Sequence, residues 1–216
     1  MRAADAGAES LTGPLVRVVL ATANPGKQRE FSALLAPYGV ELVLQSQLGV
    51  ESAPETGASF AANALLKAAH AADRTGLPAL ADDSGLEVDA LAGRPGVYSA
   101  RYAGENATDA QNNARLLADL RDVPDDRRGA RYRCVLALVR RPNDPVPLFA
   151  HGEWCGHIGH VAAGSGGFGY DPYFIPDGMS VTVAQLPADE KNQLSHRGRA
   201  LRALAGLLSA ERISWL

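Results

Sequence analysis

The chain has 216 residues, which suits one domain when a domain averages roughly 150 residues. Hydrophobic residues make up 46%, enough for a packed core and too many for global disorder. Its 21 lysines and arginines stand against 24 aspartates and glutamates, a net −3, so the basic excess that grips long nucleic acid is missing and no polymeric partner is expected.

Cys134 and Cys155 form no C-x-x-C pair and no disulfide framework, which points to a reduced, cytoplasmic setting. No stretch approaches the roughly 20 apolar residues of a membrane span, so no membrane partner is expected. Residues 1–14 are Ala/Gly-rich and polar, lack the apolar centre of a signal peptide, and read as a mobile tail before a single domain over 15–216.

Residues 16–21 (VRVVLA) form a β-branched run of the buried-strand kind. The run stops at Thr22, Ala23, Asn24, Pro25 and Gly26. Pro25 suits a first helical turn, and Phe31, Leu34, Leu35 and Tyr38 recur at helical spacing. A second short strand is expected over 41–44. Residues 59–74 read as a long Ala-rich helix stopped by Gly76-Leu77-Pro78, with Lys67 in its middle. Residues 79–81 are short and apolar and run into Asp82-Asp83-Ser84-Gly85. Thr108 and Gln111 make a capping box for a further helix carrying Leu116, Leu117 and Leu120. Residues 131–139 alternate as a strand, with 148–158 as its antiparallel neighbour. A glycine-rich turn at 164–169, a helix near 187–194 and a last helix over 198–208 follow. The mixed order predicts an α/β sheet with parallel and antiparallel pairs.

Several segments could carry chemistry. At residues 22–27, free amides at a helix start attract phosphate; Thr22 and Asn24 add donors and Lys27 a full charge. The segment is no P-loop, because Lys27 is followed by Gln28 with no earlier glycine in register. Asp82 and Asp83, directly after an apolar run, are costly unless solvated, paired or bound to a cation, and Mg²⁺ takes one or two carboxylates plus substrate phosphates. Glu55, in a polar turn before the long helix, is a third acid. Asp82-Asp83-Ser84-Gly85 reads equally well as an ordinary turn.

Gly164, Gly166 and Gly169 match G-x-G-x-x-G, but the aromatic, proline-bounded residues that follow deny the helix a dinucleotide site requires. A loop presenting Phe168 for base stacking, worth roughly 1–3 kcal/mol, fits better. Lys191, His196 and Arg197 cluster before the last helix. His151, Cys155, His157 and His160 fit no zinc spacing.

In this order and spacing the segments TANPGKQREF (22–31), PETGASFAANALLKA (54–68), ADDSGLEVDAL (81–91), PGVYSARYAG (95–104), GGFGYDPYF (166–174) and EKNQLSHRGRA (190–200) resemble the inosine/xanthosine triphosphate pyrophosphatases. The likeness spans about residues 16–208, with no departure at any motif position. It implies a two-lobed fold around a long mixed sheet flanked by helices, with the active site in the cleft between the lobes, and a homodimer. It implies hydrolysis of non-standard purine nucleoside triphosphates (ITP, dITP, XTP) to the monophosphate and pyrophosphate, which cleanses the nucleotide pool. Carried over residue by residue, Thr22, Ala23, Asn24, Pro25, Gly26 and Lys27 would bind the triphosphate. Glu55 and Asp83 would ligate Mg²⁺, with Mn²⁺ as the alternative. Lys67 would neutralise phosphate. Asp83 would act as acid/base, with Asp82 beside it, and Ser84 would touch substrate. Phe168, Gly169, Tyr170 and Asp171 would hold base and sugar. Lys191, His196 and Arg197 would read the purine edge. The rival readings are a pyrophosphatase for other modified nucleotides and a non-catalytic nucleotide sensor, which would have no need of Glu55, Asp82 and Asp83.

Overall fold

The computed structural model of the chain describes residues 16–22, 28, 31–32, 35 and 38–210. The expected tail at 1–14 and the expected phosphate-binding residues Ala23, Asn24, Pro25, Gly26 and Lys27 lie outside these. Among the described residues, six strands form one sheet in the order β2-β1-β3-β4-β5-β6. They are β1 (Val16–Leu20), β2 (Val40–Leu44), β3 (Ala79–Val88), β4 (Gly129–Val139), β5 (Leu148–Ile158) and β6 (Phe174–Pro176). β1 runs parallel to β2 and β3, and the pairs from β3 to β6 are antiparallel. The expected mixed α/β sheet is therefore present.

Among the described residues, four helices with both ends described flank it: α1 (Phe60–Thr75), α2 (Asp109–Asp119), α3 (Ala188–Leu194) and α4 (His196–Ala210). Ser59 caps α1 by accepting from the Ala62 amide, and Gly76 closes it in the left-handed region at φ 70°. Small side chains let α1 lie close on the sheet: Ala64, Ala68, Ala71 and Ala72 pack on Val19, Ala79, Ala81 and Ala137. The opposite face carries α4, whose Ala200, Leu201, Leu204 and Leu208 meet Leu20, Leu80 and Leu136. A second core, built by Leu116 of α2 and Leu120 just beyond its end with Leu86, Tyr132, Trp154, Ile158 and Phe174, covers the far ends of β3 to β5. The long strands thus serve both lobes.

β3 departs from expectation. Residues 82–85 do not turn; the strand continues to Val88 because β4 pairs with it without a break, Asp82 opposite Leu136 and Asp83 opposite Val135. The polar residues stay in the strand because neighbouring helices supply their partners. By contrast, β1 pairs with β3 only through Val19–Ala79 and Leu20–Leu80. Beyond Leu80, β3 continues past its last β1 pair, and at its far end the Leu86 amide donates to Ser99 Oγ and the Val88 amide to the Arg94 carbonyl. The last helix also starts earlier than expected, at His196 rather than 198, since Ser195 accepts from the Gly198 amide at 3.1 Å and caps it.

The closest backbone approach near the site is at Gly152 of β5. A Cβ there would collide with the His196 carbonyl oxygen and the Ala200 nitrogen of α4. Gly152→Ala is therefore expected to push α4 away and to cost about 2 kcal/mol or more. Urea denaturation at equilibrium measures it; a midpoint equal to that of the parent would refute the packing argument.

Candidate active site

Successive residues of a strand face opposite sides of a sheet. Asp83 therefore points with Ala79 and Ala81 toward α1, and Asp82 points with Leu80 toward α4. Adjacent in sequence, the two carboxylates enter different surroundings.

On the α1 side, Asn63 Nδ2 donates to Asp83 Oδ2 at 3.0 Å. Lys67, one turn further along α1, reaches Asp83 Oδ1 at 3.5 Å and Glu55 Oε1 at 2.5 Å. Asn63 also fixes the loop that carries Glu55, because its Oδ1 accepts from the Gly57 amide at 2.7 Å. Arg101 approaches Glu55 from outside, 3.8 Å from Oε2. Two carboxylates thus converge on one ammonium. Burial pushes the Asp83 carboxyl up, and Lys67 and the Asn63 hydrogen bond pull it back without cancelling the rise. Burial pulls Lys67 down, but Asp83, Asp82 and Glu55 outweigh it and hold the ammonium above its ordinary value.

On the α4 side, Asp82 Oδ2 accepts from Ser84 Oγ at 3.1 Å and lies 3.9 Å from Arg197 Nε. Here a cavity of about 220 Å³ opens between the lobes. Its walls include Ser84, Tyr132, Phe168, Lys191, His196 and Arg197. The Phe168 ring is 57% exposed, with Lys191 Nζ 4.5 Å and the Arg197 guanidinium carbon 5.8 Å from its centroid. An exposed ring bordered by cations suits an electron-rich heterocycle with polar edges. His196 stacks on Tyr132 at 4.8 Å and 11°.

The structure therefore brings Glu55, Lys67 and Asp83 together on one side of β3, and Ser84, Phe168, Lys191, His196 and Arg197 on the other. Thr22, at the end of β1, follows the last β1–β3 pair. Tyr170 is buried, and its hydroxyl donates to the Ser99 carbonyl at 2.8 Å. Asp171, expected at the sugar, is 3% exposed and lies beneath the loop. Its Oδ1 accepts from Tyr132 at 3.1 Å; its Oδ2 accepts from the Phe168 amide at 2.9 Å and Lys191 at 2.5 Å. These contacts make it a brace for the loop. Asn63, Arg101 and Tyr132 escaped the sequence reading. Asn63 could have been found from its place four residues before Lys67 on one helix face. Arg101 sits inside the matched segment 95–104. Tyr132 offered no signal beyond strand alternation.

Among the described residues no group of three or more His, Cys, Asp or Glu side chains is placed to hold a metal ion. Glu55 and Asp83 supply two convergent carboxylates instead. That donor set fits Mg²⁺, which keeps several waters and borrows substrate phosphates. A carboxylate and ammonium cluster on one side of a strand, and a cation-bordered aromatic cavity on the other, together describe a nucleotide-hydrolysing site.

Residues 18–207 match the Ham1 family, and the chain belongs to it. A relative from Photorhabdus laumondii, called dITP/XTP pyrophosphatase, is 57% identical over 192 residues, covering 89% of this chain and 98% of its own. The solved HAM1 protein from Coxiella burnetii aligns at a TM-score of 0.87 and 45% identity, covering 91% of this chain and all of that one. A Mycobacterium abscessus structure, titled nucleoside-triphosphatase / dITP/XTP pyrophosphatase, aligns at 0.75 and 47%, covering 91% of this chain and 100% of its own.

The raised Asp83 has a consequence for stability. The folded state holds this proton more tightly than the unfolded chain, so the group favours folding at low pH and that advantage is lost as pH rises through the raised value. Asp83→Asn keeps an acceptor for Asn63 and carries no buried charge. At pH 7 in EDTA it is expected to melt at or above the parent temperature, and the difference should shrink as pH falls. A variant that melts lower at pH 7 would show that the ionised carboxylate stabilises the fold.

Proposed function

We propose that the chain hydrolyses non-standard purine nucleoside triphosphates, such as ITP, dITP and XTP, to the monophosphate and pyrophosphate. The observation that carries this reading is the division of β3: Asp83 faces the Glu55–Lys67 cluster, and Ser84 faces the base cavity. A nucleotide lying across β3 at Asp83 and Ser84 reaches both. The name of the relatives, dITP/XTP pyrophosphatase, supports dITP and XTP among these.

Glu55 and Asp83 would hold Mg²⁺, or Mn²⁺ in its place. When bound, the metal neutralises phosphate oxygens and helps to orient the triphosphate. Lys67 adds charge on the same side, and Thr22, Ala23, Asn24, Pro25, Gly26 and Lys27, of which Thr22 alone is among the described residues, would bind the triphosphate. Asp83 accepts the proton of the attacking water, a task for which a raised carboxyl is better matched than an ordinary one. Asp82 fixes Arg197 rather than joining the reaction.

Phe168 stacks the base, Gly169 and Tyr170 shape the loop, and Asp171 braces it. Lys191, His196 and Arg197 surround the base edge. Hypoxanthine and xanthine present a 6-oxo acceptor there, whereas adenine presents an amino donor. Donors buried at that edge would face the adenine amine unsatisfied, and sites of this kind discriminate by roughly 10⁴-fold. The functional unit is one domain over 15–216 acting as a cytoplasmic homodimer, which sedimentation of the purified chain tests.

Pyrophosphate release from ITP, XTP, dITP, GTP and ATP, with Mg²⁺ and with EDTA, is the deciding measurement. Metal-dependent release from the first three with little from the others is expected; no release from any of them overturns the assignment. Asp83→Asn should lower kcat by about 100-fold or more while remaining folded. Arg197→Ala should narrow the ITP-over-ATP ratio in kcat/KM, and an unchanged ratio would remove Arg197 from base recognition.

A further inference from the structure

The loop that presents Phe168 is held from below by Asp171, but also from the side by a helix that none of the expected site residues belongs to. Gly169, at φ 60°, directs both of its backbone polar groups at α2. Its amide donates to Asp109 Oδ2 at 2.6 Å, and its carbonyl accepts from Asn113 Nδ2 at 2.8 Å. Asp109 and Asn113 are four residues apart and share one helix face. Asn113 is buried and also donates to the Asp109 carbonyl at 2.9 Å, which fixes its amide group.

The start of α2 is secured without Asp109. Thr108 and Gln111 form the capping box: the Gln111 amide donates to Thr108 Oγ1 at 3.3 Å and the Thr108 amide to Gln111 Oε1 at 2.8 Å. The Asp109 side chain is therefore not spent as the cap. It stands at the rim of the base cavity, which it helps to line, and α2 behind it is anchored by Leu116 and Leu120 in the second core.

We propose that Asp109 is a positioning residue for substrate recognition: with Asn113 it clamps Gly169 so that the neighbouring Phe168 ring is held for the base. This rests on the reading of Phe168 as the base platform. A loop whose glycine is gripped at both polar groups loses its freedom on folding and not on binding, so its order appears as affinity. The clamp touches neither the carboxylate cluster nor the reacting phosphate, so the step after binding is untouched.

The experiment compares Asp109→Ala, which removes the acceptor, with Asp109→Asn, which keeps an acceptor and removes the charge. KM and kcat for ITP, amide hydrogen exchange at Phe168 and Gly169, and melting temperature are measured on each. Asp109→Ala is expected to raise KM about tenfold, the scale of one lost hydrogen bond to a charged group, with kcat within about twofold and faster exchange at Gly169. Asp109→Asn should recover most of that KM and most of the exchange protection. Asn113→Ala removes the other bond, should shift the same two readouts, and serves if Asp109→Ala does not fold. An unchanged KM, a fall in kcat alone, or an Asn variant as impaired as the Ala variant would overturn the clamp. An Asn variant with an altered ITP-to-ATP ratio would mean that Asp109 reads the base directly, which also overturns it. If the parent enzyme does not turn over ITP, the substrate assignment fails separately. Exchange at Gly169 then decides the clamp: protection in the parent and the Asn variant upholds it, and protection in the Ala variant sinks it.

Discussion

A charge can enter the interior of a sheet protein when an opposite charge or a donor enters with it. Lys67 is that condition for this site. It comes from the middle of an alanine-rich helix whose small side chains let it approach the sheet, and it lies between Glu55 and Asp83. Remove the alanines and the helix stands too far off for the ammonium to reach. Remove the ammonium and the buried Asp83 carboxylate is left without it beside a half-exposed Glu55. Asn63 extends the arrangement in both directions, to Asp83 on one side and to the Glu55 loop on the other.

The second organising element is β3 itself. The last β1–β3 pair is at Leu80 while β3 continues along β4, so one strand is flanked by β1 at its start and by residues 94–99 at its far end. The alternation of side chains then separates the work. The Asp83 side gathers the groups suited to phosphate and metal, and the Asp82–Ser84 side gathers those suited to a base. No interlobe hinge is needed for the two chemistries to meet, because a single backbone connects them.

Much of this was legible in the sequence, for reasons that differ from place to place. The long helix was readable from its caps, Ser59 and Gly76, and β4 and β5 from alternation. The family was readable because its motifs keep their order and spacing along the chain. The extent of β3 was not. Two aspartates, a serine and a glycine have strong turn preferences, and their placement in a strand depends on Asn63 and Lys67 of a helix and on Arg197 of another, all distant in sequence. The contacts of Asp171 were hidden similarly. A carboxylate beside an exposed aromatic gives no sign in the sequence that Tyr132, Lys191 and the Phe168 amide all donate to it.

Tyr132 lies between Phe174 and His196, with ring centroids 4.7 and 4.8 Å away. The imidazole is thus the last member of an aromatic column rooted in the second core. A free surface histidine must give up rotational freedom when it meets a ligand, at a cost of about 0.5–1.5 kcal/mol. His196 has already given it up to the column. Its orientation is a property of the fold, set before any ligand arrives rather than acquired on contact.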